Sequence, residues 1–161
     1  MANTISSPER HKYTTPEIRV VVFKLAGQEY VVEVARVQEI IRPTDIKPMA
    51  GAPAYVEGLI KLHGRIVPIA DLRKCLHLPL GLDTPETCIL ITRLTAGLIG
   101  FIVDSASELL WVKTRAFEVP SPILAGTHQP HVQGIAHIEG RVLILLNVDQ
   151  VLTEPLVGDH V

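Results

Sequence analysis

His128 and His131, separated by Gln-Pro, are the first residues in this chain whose type and spacing invite chemistry, because paired imidazoles can hold a transition metal. The intervening Pro opposes the helix that would align them, and no acidic or Cys ligand stands close by in sequence, so they read as solvated loop histidines with no metal. Cys75 and Cys88 form no C-x-x-C pair, and each sits among apolar residues where a buried free thiol is the usual outcome. That reading carries a reducing, cytoplasmic setting with it, and a disulfide between the two is the alternative. Ser105 and Ser107 lack the G-x-S-x-G elbow of a nucleophile, no G-x-x-x-x-G-K-[ST] loop cradles phosphate, and no carboxylates recur at an acid–base spacing. Neither an enzyme nor a cofactor is expected.

The organising stretch is structural. Residues 58–73, G-L-I-K-L-H-G-R-I-V-P-I-A-D-L-R, read as a tight hairpin turning at His63-Gly64 and running into a short helix. Gly64 supplies the positive φ that a two-residue loop needs. This register sets Leu62 opposite Arg65 and Ile60 opposite Val67, so that Ile60, Leu62, Val67 and Ile69 share one face. Asp71 is placed to cap a helix through Leu76.

The same event recurs at 132–148, where Gly134, Gly140, Arg141 and Asn147 take the places of Gly58, Gly64, Arg65 and Asp71. A weaker match, V-A-R-V-Q-E-I-I at 34–41 against V-D-S-A-S-E-L-L at 103–110, keeps the same element order. The chain is read as an internal repeat. The recurrence of Arg65 and Arg141 suggests a shared structural task.

Further strands are expected at 18–25, at 30–34, and through Ile41 after a single helical turn or bulge at 35–37. A brief helical turn starts at Pro53, and a hairpin around Ala96-Gly97 joins 87–94 to 98–103, followed by a strand at Glu108–Val112. Trp111 ends that strand and reads as core or rim packing, while His137 reads as an outward strand position. The segment 78–85 joins the halves, and 120–130 is a Pro- and Gly-rich loop. These elements divide into a flexible arm (1–17), one domain (18–154, with halves at roughly 18–80 and 86–154) and a fraying tail (155–161). The fold class is mainly β: two pseudo-repeated, intertwined five-stranded barrels with short helices, closed so that few sheet edges stay open, with a groove between them.

A net charge of −2 and 4% aromatic residues argue against nucleic acid as a partner. The most lipid-like run, 94–103, falls well short of the roughly 20 residues of a membrane span. The start of the chain lacks the apolar core of a secretion signal.

With those residues in place, the chain resembles the CheW-like family of chemotaxis coupling proteins. V-Q-E-I at 37–40, the 58–73 run and G-F-I-V-D at 100–104 carry the resemblance, which spans roughly 18–154. It implies the twin-barrel fold and a monomeric, non-catalytic adaptor that joins the cytoplasmic tips of chemoreceptors to the like-folded regulatory domain of a CheA-type histidine kinase, in the cytoplasm, beside membrane-bound arrays. It further implies a receptor groove at Val37, Glu39, Ile40, Gly58 and His63, with Asp104 to Leu109, Ser105 and Leu109 foremost, on the other wall. Gly58 also has a plain structural reading as a bulge or close backbone approach. Family members typically carry Arg at the place of His63, where it pairs with the counterpart of Glu39. A His matches a carboxylate fork less well, so either Arg65 takes over that pairing or the pair is lost. The alternatives are a β-barrel that binds or turns over a small ligand in its cleft, and a coupling protein of a motility or other chemosensory-like pathway.

Overall fold

The computed structural model describes residues 15–120 and 131–152, apart from the side chain at 107. Residues 121–130 of the expected loop, His128 among them, most of the expected N-terminal arm and the expected tail lie outside the described residues. Among the described residues, eleven strands, one helical turn and three 3-10 turns follow one another. The first half supplies β1 (Glu17–Leu25), β2 (Gln28–Glu33), β3 (Val37–Ile41), β4 (Val56–Leu62) and β5 (Arg65–Asp71), then α1 (Leu72–Cys75). The second supplies β6 (Cys88–Leu94), β7 (Gly97–Val103), β8 (Ser105–Lys113), β9 (Phe117–Glu118), β10 (Val132–Ile138) and β11 (Arg141–Leu146). The 3-10 turns are Val34–Arg36, Thr114–Ala116 and Val148–Gln150.

Each sheet takes strands from both halves. One runs β8-β1-β2-β11-β10-β9, the other β3-β6-β7-β5-β4. The β1–β2 hairpin has crossed into the sheet of the second half, and β6–β7 has crossed into that of the first. Strand for strand the two orders correspond. β9, two residues long, has as its counterpart the lone bridge between Lys47 and Leu59.

The correspondence reaches single residues. Gln38 is the extra residue between the pairs Val37–Thr92 and Glu39–Ile91, and position 107 is the extra residue between Ala106–Phe23 and Glu108–Val22. Glu57 and Gln133 are extra in the two Gly-Arg hairpins in the same way, just before Gly58 and Gly134. The parallel ladders match as well: Ile69 lies beside Gly100 as Leu145 lies beside Val31.

Three apolar clusters follow from this arrangement. Val20, Val22, Val31, Val112, Leu143 and Leu145 pack together from the first sheet alone, and Ile60, Val67, Ile69, Ile89 and Ile91 from the second alone. Each sheet therefore curls around an interior of its own, as a barrel does. The third cluster lies between the sheets, where Val21, Phe23, Leu25 and Tyr30 meet Leu90, Ile99, Phe101 and Leu72. Each large side chain buried there stabilises the fold by about 1.5–3 kcal/mol.

Asp71 caps α1 by accepting the Arg73 amide at 2.9 Å, and Asn147 caps the last 3-10 turn by accepting the Asp149 amide at 3.1 Å. Three expectations need correction. The β6–β7 turn is Thr95-Ala96, because Gly97 already pairs with Leu94 as the first residue of β7. β8 begins at Ser105, three residues before Glu108, since the bulge hides its alternation. Pro53 opens a plain turn closed by the Val56 amide.

Gly58 combines a φ of +149° with a site where a Cβ would collide with the Lys47 carbonyl, so both structural reasons for Gly hold at once. Gly134, its counterpart, has milder surroundings, with Phe117 Cβ at 3.0 Å from the position of an added Cβ. We expect Gly58→Ala to destabilise the protein by about 2–4 kcal/mol and Gly134→Ala by under about 2 kcal/mol, measured by urea unfolding. Equal midpoints would contradict this account.

Candidate functional site: a groove walled by β3 and β8

β3 and β8 are the outermost strands at corresponding edges of the two sheets. Between them, Ile40, Ile41 and Arg42 face Ser105 and Ala106 across an open cleft of about 560 Å³, floored by Pro85, Glu86, Thr87 and Cys88. Ile40 remains 43% exposed at its mouth. The void enclosed between the sheets behind it holds only about 10 Å³, no room for a substrate.

An ion pair fixes the start of each wall. Asp104, just before β8, accepts Arg73 Nε at 3.0 Å and the Ala26 amide at 2.9 Å, while Arg73 also donates to the Pro79 carbonyl at 2.8 Å. Arg36, just before β3, pairs with Asp149, which accepts the Thr95 amide at 2.7 Å. Arg73 and Asp149 are counterparts in the repeat and carry opposite charges, while their partners Asp104 and Arg36 stand one position out of register. The Thr95 amide, then Arg36, hold the Asp149 carboxyl below the usual range.

The glutamates at the middle of the walls, Glu39 and Glu108, are also counterparts. His63 Nε2 lies 2.9 and 3.0 Å from the two Glu39 oxygens, so the pair forms and Arg65 does not take it over. Glu108 is held instead by Arg141, which reaches Glu29 at 2.7 Å and Glu108 at 2.8 Å. Arg65 has no ion pair among the described residues, so the two recurring arginines do not share a task. The counterpart of Glu29 in the other half is Leu98, which offers no carboxylate.

The expected groove residues are therefore only partly gathered. Ile40 and Ser105 line the cleft. Val37 is half-buried against the inter-sheet cluster, and Glu39 is engaged with His63 at the exposed β4–β5 turn. Gly58 is buried beneath Lys47. Leu109 is 49% exposed further along β8, outside the lining of the cleft. Gly64 and Gly140 each hold φ +79° at their turns, with Arg65 and Arg141 opening the next strand. Ala106, inside the expected wall of Asp104 to Leu109, also lines the cleft, whereas sequence reasoning missed Arg42 and Thr87 and took Cys88 for a buried thiol. Both cysteines are free. Cys75 is buried, and burial, with Asp71 nearby, pushes its thiol up to about 12. Trp111 is not core: it is 64% exposed. His131 is half-buried, and burial and then His77 lower its pKa.

The model of the CheW-like domain matches residues 19–156. The chain belongs to the CheW-like family. It is 31% identical over 132 residues to the chemotaxis protein CheW of Rhizobium meliloti, covering 82% of this chain and 85% of that one. With the chemotaxis protein CheW of Bacillus subtilis it shares 30% over 134 residues, covering 83% and 86%. The crystal structure of the scaffolding protein TtCheW from Thermoanaerobacter tengcongensis superimposes with a TM-score of 0.76 at 25% identity, covering 84% of this chain and 92% of that one. CheW-like membership makes the chain a chemotaxis coupling adaptor, and its mainly β, two-sheet fold is the CheW-like fold.

Arg141, through its hydrogen bonds, holds the Glu29 and Glu108 carboxyls below the ordinary glutamate range. Because the folded pKa values are depressed, the contribution is complete above the unfolded value of about 4.3 and is lost as pH falls through the folded values. Arg141→Met should return both titration midpoints toward the ordinary value in NMR and flatten the fall in stability below about pH 4.3. Its cost at neutral pH should be about 0–1 kcal/mol per lost pair, since both pairs are partly exposed. Unchanged midpoints would rule the bridge out.

Proposed function

We propose that this chain couples chemoreceptors to a CheA-type histidine kinase, with the β3–β8 groove taking the cytoplasmic tip of the receptor and a sheet end taking the kinase's like-folded regulatory domain. The observation that carries the reading is the character of the groove: open, lined more by apolar than by polar atoms, and backed by a filled core, which suits an apolar helical face better than a small substrate. Its polar groups, Arg42, Glu86, Thr87 and Ser105, sit among apolar residues and form no acid–base or nucleophile constellation. In this reading the chain has no catalytic role and needs no cofactor. Among the described residues no helix is long and apolar enough to cross a membrane.

Glu39 is the residue assigned to receptor contact in this reading, with Val37 and Ile40 as the apolar flank. Breaking its bond to His63 costs little, because an exposed pair contributes about 0–1 kcal/mol. Each contact needs only micromolar strength, about 8 kcal/mol, since an array multiplies weak links through effective concentration.

The test is a pull-down of the full chain with a receptor cytoplasmic fragment and with the kinase regulatory domain. Glu39→Lys should weaken receptor capture about tenfold or more, equivalent to about 1.4 kcal/mol, while circular dichroism and kinase capture stay unchanged. His63→Arg should leave receptor capture within about threefold, since it exchanges one hydrogen-bonding partner of Glu39 for another. Full receptor capture by folded Glu39→Lys would remove Glu39 from the interface.

A further inference from the structure

Trp111, the one tryptophan of the chain, is 64% exposed although it stands on a strand of regular pairing. Alternation puts it on the same face as Leu109, 49% exposed. That face looks toward the inter-sheet core: Leu109 lies opposite Val21, which is buried there, and Trp111 lies opposite Arg19. The Arg19 guanidinium carbon stands 5.8 Å from the centre of the Trp111 ring, within the reach of a cation–π contact. The indole thus has a guanidinium beside it while most of its surface stays in water. An aromatic group of that size is the kind of side chain that dominates a binding surface.

The internal repeat says where this surface belongs. In the strand ladders Leu109 is the counterpart of Ile40, and Trp111 of Arg42; Arg36 and Val37 are the counterparts of Ser105 and Ala106. At the cleft, Ile40 and Arg42 face Ser105 and Ala106. By the repeat, Leu109 and Trp111 stand to Arg36 and Val37 as Ile40 and Arg42 stand to Ser105 and Ala106, which gives a cleft at Ile40 a counterpart at Trp111.

We infer that Leu109, Trp111 and Arg19 form a second end of the receptor groove, and that the receptor tip lies along both ends with an apolar helical face on the indole. The inference rests on the receptor reading of the groove. Charge supports the occupant: Arg19, opposite Trp111, and Lys113, two residues on along the same face, are exposed against Glu17, so this end suits a helix that carries carboxylates beside its apolar stripe. A pair of antiparallel helices has an approximate two-fold of its own, which matches a groove with two like ends.

Trp111 also reports on its own occupancy. In a titration of the full chain with a receptor cytoplasmic fragment lacking tryptophan, the emission should shift to the blue and become shielded from acrylamide. Trp111→Ala should weaken receptor binding about tenfold or more, Trp111→Phe less than about threefold and Arg19→Gln about threefold, with circular dichroism and kinase binding unchanged. If the fragment binds and Glu39→Lys weakens it, yet the emission stays still and Trp111→Ala binds equally well, the receptor reading stands and this second end is overturned. A response to the kinase regulatory domain alone would overturn the assigned occupant. A fragment that does not bind at all would remove the receptor reading and this inference together.

Discussion

Two parallel ladders, β5 beside β7 and β2 beside β11, are the constraint on which the rest of the molecule depends. A hairpin cannot make a parallel pair, so each of these ladders joins residues far apart in sequence. They exist because each half has given its two-stranded hairpin to the sheet of the other. Neither sheet has its full set of strands until both exchanges are made, which ties the two curled sheets and the core between them into one cooperative unit. The groove inherits that dependence. Its walls, β3 and β8, pair only with exchanged strands, β6 and β1, so the distance between them is set by the exchange and not by either half alone.

The repeat gives the walls the same backbone and different chemistry. Each has a bulge at the same place, and each carries a glutamate just beyond it. On β8 that glutamate is bound by Arg141 together with Glu29, which makes a closed network. On β3, among the described residues, it has only the ring of His63, whose side chain is 68% exposed. One copy ties its carboxylate into a network of the fold, and the other holds it by a single exposed pair.

Much of this architecture was legible in the sequence, for particular reasons. The two Gly-Arg hairpins announce themselves because a two-residue turn fixes the register of everything around it, and the caps at Asp71 and Asn147 end each hairpin in the same way. Where the reading slipped, the cause was a local departure from that logic. The bulge in β8 interrupts alternation and conceals the first residues of the strand. Gly97, with φ +140°, looked like a turn residue but begins β7. The task of Arg141 was hidden because its partners come from β2 and β8, distant in sequence, and because the counterpart of one of them is a leucine. Within the groove, Ile40, Ser105 and Ala106 were reached through family resemblance, whereas Arg42 and Thr87 belong to it only because a linker and a strand edge meet there.

The exchanged charges of the two anchors have one more consequence. Suppose two molecules traded hairpins so that first half met first half. Arg73 would then come against Arg36, and in the complementary product Asp149 would come against Asp104. Both mismatches place like charges where the native chain has a tight pair. Like charge in both wrong pairings thus favours the union of a first half with a second half.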